Sequence, residues 1–335
     1  VTRHAVSIAF QTDKTPAEYA ALAALVDRYD FDAVSVYGDL PYHPSFGPLL
    51  LMAPHVTRAR LGPAGVSPAR MHPVDMAANA ALLDRAAPGG AYLGIVRGAW
   101  LADHGVRPPE GPLQAVREAV EVVRYLLGGG EGGYAGAVYR IAPHVRAPYP
   151  LPERPVPIMV GTWGPKLCAV AGEVADEVKV GGTANPDLIP LIREYIAAGE
   201  ARAGRDGGSV GIAAGAVTVV DEDGERARTL ARREVALYLP VVAPLDPTVD
   251  VPPELLDRIR GHVERGDVAS AARLIPDDLL RRFAFAGTPA EVADQANALF
   301  AAGAARVEFG TPHGIPPEQG IRLLGEYVIP ALRRG

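Results

Sequence analysis

LGPAGVSPARMHP (residues 61–73) begins as a β-strand and is then interrupted. Leu61 and Val66 are strand formers, but Gly62, Pro63, Gly65 and Pro68 break the run. Glycine or proline inside a strand marks a bulge or a close approach of the backbone to another group. What approaches it depends on where this strand stands in the larger order of the chain.

On both sides of it, short apolar strands alternate with amphipathic helices. AVSIAF (5–10) precedes a helix over 16–29, DAVSVYG (32–38) one over 46–56, and RLGPAGV (60–66) one over 73–86. AYLGIV (91–96) leads to 112–127, VPIMVG (156–161) to 164–175, and EVKVGG (177–182) to 187–204. VGIAAGAVTVV (210–220) leads to 224–239 and RVEFG (306–310) to 318–332. Near-continuous apolar strands suit a parallel sheet covered on both faces. Eight such βα units predict a (β/α)8 TIM barrel, one domain over residues 1–335, with its site at the carboxyl ends of the strands. An open doubly wound sheet is the alternative. Two insertions are expected. Residues 128–155 read as a hairpin or meander. Residues 240–304 read as a proline-broken loop followed by helical segments, forming a lid or an interface.

Composition narrows the function. A net charge of -6 leaves no electrostatic footprint for nucleic acid. No basic segment with an apolar run opens the chain, and no stretch has the length of a membrane span. The single cysteine, Cys168, excludes an internal disulfide framework and suits a cytoplasmic protein, with Cys168 itself reading as a small buried residue. The histidines show no metal-binding spacing, and neither HExxH, CxxC nor GxSxG occurs.

The chemistry-bearing positions lie at the carboxyl ends of the strands. Asp39 follows strand two, as a site carboxylate or a helix cap. GTWGPK after strand five (Gly161, Thr162, Trp163, Gly164, Pro165 and Lys166) opens a helix whose free N–H groups suit a phosphate. Lys166 either adds charge there or is solvated. Alternation in strand one turns Ser7, Ala9 and Gln11 to the barrel axis. Glu308 in strand eight is costly if it faces the helices; inward, it meets Arg306 or a ligand, as an acid or in an ion pair. Trp100 and Trp163 either wall a pocket or pack.

In this order, the motifs FDAVSVYGD, LGPAGVSPARMHP, YLGIVRG, VGTWGPKLCAVAGEVADEV and AGTPAEVADQANALFAAGAARVEFGTP resemble the luciferase-like superfamily of flavin and deazaflavin oxidoreductases. Within it, RGDVASAARLIPDDLLRRFAFAGTPAE and IRLLGEYV are similar to the F420-dependent methylenetetrahydromethanopterin reductase branch. The resemblance implies a flavin-like ring at the barrel mouth, backed by a non-prolyl cis peptide at Ala64–Gly65, with Val66 beside it. It implies a cofactor phosphate at Gly161–Pro165 and further cofactor contacts from Asp39, Val96, Arg97, Gly98 and Asn185. Ala9, Gln11 and His72 are expected in the substrate pocket. The branch carries a glutamate where this chain has Ala9, and often a histidine where it has Leu40. Glu308 is therefore expected to replace the missing carboxylate, with Asp39 as a second proton-handling group. The implied function is F420-dependent hydride transfer to or from a C=N or C=C carbon of a small-molecule substrate, in a homodimer or higher homo-oligomer. An FMN-dependent monooxygenase and a catalytically impaired cofactor-binding or partner subunit are the alternatives.

Overall fold

The computed structural model describes residues 4–333. Its main sheet is built from β1 (Ala5–Phe10), β2 (Ala33–Val36), β3 (Arg60–Pro63), β4 (Leu93–Val96), β7 (Ile158–Gly161), β8 (Glu177–Gly181), β9 (Gly211–Val220), β10 (Ala284–Gly287) and β11 (Arg306–Gly314). The hairpin strands β5 (Tyr134–Ala135) and β6 (Arg140–Ile141) stand apart. The parallel order is β3-β2-β1-β11-β9-β8-β7-β4, with β10 beside β9. The two ends of this order meet. Leu61 bridges Ala91 and Val66 bridges Ile95, so β3 and β4 close the sheet. That closure makes the fold a (β/α)8 barrel and removes the open sheet.

Helix starts follow local chemistry. The tetrapeptide TPAE opens both Pro16–Val26 and Pro289–Ala301. In each, the threonine side chain caps the first turn and the glutamate returns to the threonine N–H, at 2.7 Å for Thr15–Glu18 and 2.7 Å for Thr288–Glu291. Between strands and helices lies a continuous core in which Ile8, Phe10, Leu49, Leu61 and Phe309 are buried. Each such side chain contributes about 1.5–3 kcal/mol by leaving water.

Both insertions are structured. In 128–155 the β5–β6 hairpin hangs on Glu118, whose buried carboxylate accepts N–H groups from Ala137 (2.7 Å), Val138 (2.8 Å) and Tyr139 (2.8 Å). The Gln114 amide, donating at 2.8 Å, and these backbone bonds together outweigh burial and lower its pKa. The segment 240–304 departs from its reading as loop and helices alone, because AFAG within it forms β10. β9 is long enough to overhang the barrel rim, and its outer end, Val217–Val220, pairs with Ala284–Gly287. Phe285 then stacks edge-on against Phe309, with ring centroids 5.2 Å apart. The last part of the segment, Pro289–Ala301, is the barrel helix that precedes β11.

Candidate active site

The inward faces of the strands change character with height. At the lower level, Ser7, Ser35, Glu177, Lys179, Arg306 and Glu308 point to the axis and bond one another. Arg306 pairs with Glu177 and reaches Glu308 at 3.2 Å; Glu308 also pairs with Lys179 and accepts Ser35 Oγ at 2.5 Å. Burial opposes the charge on Glu308, but Lys179 and Arg306 overcome it and pull its pKa down to about 2. Glu308 thus faces inward and meets Arg306, and it is an ionised carboxylate. At the upper level the inner positions are Ala9, Gly181, Gly215 and Gly310. Gly181 and Gly215 line open space there, whereas Ala9 and Gly310 do not, because the Tyr37 hydroxyl lies where a Cβ on Gly310 would be.

Two cavities adjoin at this mouth. The first, a cleft of about 1110 Å³, runs from Gly38 and Asp39 past Ala64 and Gly65 to Gly161–Leu167. The second, a chamber of about 790 Å³, descends toward Lys179 and Glu308. Asp39 and Ala64 border both.

The interrupted strand of residues 61–73 is the wall between them. The Ala64–Gly65 peptide is cis. Glycines are required because backbone meets backbone here. A Cβ on Gly65 would lie 2.6 Å from the Gly94 carbonyl oxygen, and one on Gly38 2.3 Å from that of Gly65. Val66 restores pairing beyond the interruption: its N–H reaches Gly94 O at 2.8 Å, and its carbonyl receives Val96 N at 2.9 Å. Val66 is buried behind the wall, whereas Val96, Arg97 and Gly98 line the cleft.

At the far end of the cleft, Gly164 precedes helix Pro165–Val174 without a side-chain cap, which leaves first-turn N–H groups available. Thr162 Oγ1 accepts Gly164 N at 3.2 Å, and Trp163 is fixed by Nε1 donating to Gly181 O at 2.9 Å. Arg70, Arg97 and Lys166 line the same cleft against the one carboxylate of Asp39. A basic cleft ending at a helix N-terminus fits a flat group with a phosphate-bearing tail.

Asp39 is half-buried, and Gln11 Nε2 donates to it at 3.2 Å. Burial raises its pKa, while Gln11, Lys179 and Arg70 partly offset that rise. Gln11 lines the chamber. Ala9, expected in the substrate pocket, is fully buried and lines neither cavity; its carbonyl accepts His313 Nε2 at 3.1 Å.

Two further expected contacts lie elsewhere. His72 is an exposed N-cap whose Nδ1 accepts Val74 N at 3.2 Å, and it lines neither cavity. Its place immediately before Pro73 gives it to the helix start. Asn185 is buried under the long insertion. It donates to Asp246 and Thr248 at 2.8 Å each and accepts from Arg282, so its polar atoms are spent on holding loops.

Lys179 and His313 escaped sequence reasoning. Period-two alternation from Glu177 puts Lys179 on the inner face, so its signal was present in EVKVGG. His313 follows a register shift between Gly310 and His313 and has φ 75, and no periodic pattern reports that. Among the described residues, no group of three or more His, Cys, Asp or Glu is placed to hold a metal, and no helix is long and apolar enough to cross a membrane.

The family model for luciferase-like monooxygenases matches residues 2–306. The chain belongs to that family. It is 28% identical over 335 residues to the 5,10-methylenetetrahydromethanopterin reductase of Archaeoglobus fulgidus, covering 97% of this chain and 99% of that protein. The coenzyme F420 dependent tetrahydromethanopterin reductase of Methanopyrus kandleri superposes with a TM-score of 0.87 at 25% identity, covering 98% of this chain and 99% of that one. An F420-dependent secondary alcohol dehydrogenase, solved with an F420-acetone adduct, shares the fold with a TM-score of 0.80 at 20% identity, covering 99% of each chain.

Proposed function

We propose that this protein is an F420-dependent oxidoreductase that transfers a hydride between the deazaflavin and a C=N or C=C carbon of a small-molecule substrate. The observation that carries the reading is the pair of adjoining cavities meeting at Asp39 and Ala64. One is basic and ends at a helix N-terminus, as an anionic cofactor requires. The other is lined by aromatic and acidic groups, as an uncharged organic substrate allows. The similarity to F420-dependent reductases supports the choice of deazaflavin over FMN.

Coenzyme F420, when bound, supplies or accepts the hydride. The chain's own groups do the rest. Gly161–Pro165 with Arg70, Arg97 and Lys166 would hold the anionic tail, and Gly38, Ala64 and Gly65 would back the ring. Val96 and Gly98 would complete the cleft wall. Asp39, held by Gln11 between the two cavities, handles the proton. Glu308, already ionised, fixes Lys179 under the chamber.

The unit proposed is one barrel domain over residues 1–335, cytoplasmic, and assembled as a homodimer or higher homo-oligomer. The lone buried Cys168 suits the first setting. Leu51 and Leu82, exposed on neighbouring helices, supply apolar surface for the second. Titration of the purified protein with F420 and with FMN, followed by cofactor fluorescence, tests the assignment. Saturable binding of F420 at micromolar concentration with FMN at least tenfold weaker is expected, and the reverse order would overturn it.

A further inference from the structure

The floor of the chamber is a neutral set of four charges. Glu177 and Glu308 are balanced by Arg306 and Lys179, all joined by the ion pairs described above. Three members are committed within the set. Lys179 is not fully committed. Its side chain is 6% exposed, it lines the chamber, and among the described residues Glu308 is its only hydrogen-bond acceptor. An ammonium has three donors. One goes to Glu308, a second direction is taken by the Tyr37 ring, 5.5 Å from Nζ to centroid, and one N–H remains for a molecule in the chamber.

The charge balance selects what that N–H takes. A carboxylate would add an uncompensated negative charge beside a set that is already neutral, in a poorly hydrated interior. It would also pass Asp13, Glu18, Glu234 and Glu318, which outnumber Lys14 on the chamber lining. A cationic substrate would meet Lys179 itself. A neutral carbonyl oxygen meets neither objection.

We propose that Lys179 holds the carbonyl oxygen of the substrate, and that the chamber takes an uncharged α,β-unsaturated carbonyl compound. This rests on the F420 reading above and names the substrate class for it. Reduced F420, when bound, would supply the hydride with its electron pair and would be oxidised by two electrons in doing so. A C–H bond forms at the β-carbon, and the C=C π pair moves to the α-carbon and onto the oxygen. The oxyanion develops against the Lys179 N–H, which keeps its proton. The α-carbon then takes a proton from the Asp39 carboxyl group, and solvent restores that proton. The sum is one hydride and one proton added across C=C. Lys179 stabilises charge that is larger in the transition state than in the substrate.

The test uses cyclohex-2-enone. With reduced F420, the protein is expected to form cyclohexanone. The double variant K179M/E308L removes the donor together with its buried partner, so no lone charge is left in the core. Its kcat/KM is expected to fall about 10²–10³-fold, the usual loss for one oxyanion donor, with F420 affinity unchanged within about threefold. A second readout needs neither turnover nor a variant. The carbonyl resonance of [1-¹³C]cyclohex-2-enone should move downfield on binding to the wild-type protein loaded with oxidised F420. An unshifted resonance, or a double variant as active as wild type, overturns the role of Lys179 and leaves the cofactor assignment standing. Failure of F420 to bind at all overturns the cofactor assignment instead.

Discussion

The imidazole of His313 rests on the backbone of Ala9, with Nε2 donating to the carbonyl oxygen at 3.1 Å. The contact joins β11 to β1 at the chamber wall, and His313 is 1% exposed there. Burial pushes its pKa down to about 4, so the ring is neutral at physiological pH. An unfolded histidine titrates near 6.5. The folded value is the lower one, so the unfolded chain binds the extra proton first. Stability is therefore complete above pH ~6.5 and is lost as pH falls toward 4, by up to about 3 kcal/mol for this group. Asparagine tolerates the left-handed backbone at this position and offers an amide donor. His313→Asn should flatten the loss between pH 7 and 5, measured as urea midpoints. An unchanged acid limb would place the titration elsewhere.

Gly38 tests the wall between the cavities. A Cβ at this position would press on the Gly65 carbonyl oxygen from 2.3 Å and on Ser45 Oγ from 3.1 Å. The first contact is backbone, so the wall must shift into the cleft. Gly38→Ala should weaken F420 binding at least about tenfold, equivalent to about 1.4 kcal/mol. Gly47→Ala, on helix Phe46–Met52 with nothing within 4 Å, is the control and should leave binding unchanged. Equal affinities for the two variants would remove Gly38 and Gly65 from the cofactor wall.

How much of this was legible depended on whether a feature repeats along the chain. The barrel strands declare themselves through apolar runs such as AVSIAF, and the inward turn of Ser7 and Gln11 follows from period-two alternation, whereas the direction of Glu308 rested on the cost of setting a carboxylate against helices. The spoiled strand at 61–73 was readable as an interruption, while its cis bond at Ala64–Gly65 came from the family resemblance. Features set by tertiary pairing were not legible. AFAG is too short to separate strand from loop until β9 overhangs the rim to receive it. Asn185 was expected at the cofactor, but polar groups distant in sequence, Asp246 and Arg282, claim its side chain. Lys179 could have been found by the alternation already applied to β1, since Glu177, Lys179 and Gly181 share a face.

Glu308 pairs with both Lys179 and Arg306, and among the described residues no other carboxylate does so. Removing its charge leaves Lys179 and Arg306 facing each other against Glu177 alone. Breaking a buried pair from one side costs about 3–5 kcal/mol. Glu308→Gln should lower stability by a large part of that amount at pH 7, read from urea unfolding, and Lys179→Met in the same chain should recover much of it. The folded pKa of about 2 lies below the ordinary carboxylate range. The contribution is therefore present above pH ~4.5 and disappears as pH falls toward 2. A Glu308→Gln variant as stable as wild type would mean that the four-charge floor is not coupled.

Among the described residues, Asp39 alone borders both cavities with a titratable group, and that group is displaced toward its neutral form. Burial is the leading cause of the displacement, and the Gln11 amide, which bonds the ionised form, limits it. A carboxyl group acting as proton donor works only while protonated. Turnover in the reductive direction should therefore fall as pH rises through its pKa, above the usual aspartate range. Asp39→Asn keeps the shape and an acceptor for Gln11 but has no proton to give. It should lower kcat by about 10²–10⁴-fold, the range for a positioned acid, and remove the alkaline limb that belongs to Asp39. F420 affinity should change only a few-fold, because the cleft holds the cofactor through Arg70, Arg97 and the helix start as well. If affinity collapses while kcat at saturation is kept, Asp39 binds the ring and does not move the proton; Gln11→Ala, which loosens Asp39 without removing it, should then reproduce the affinity loss in milder form.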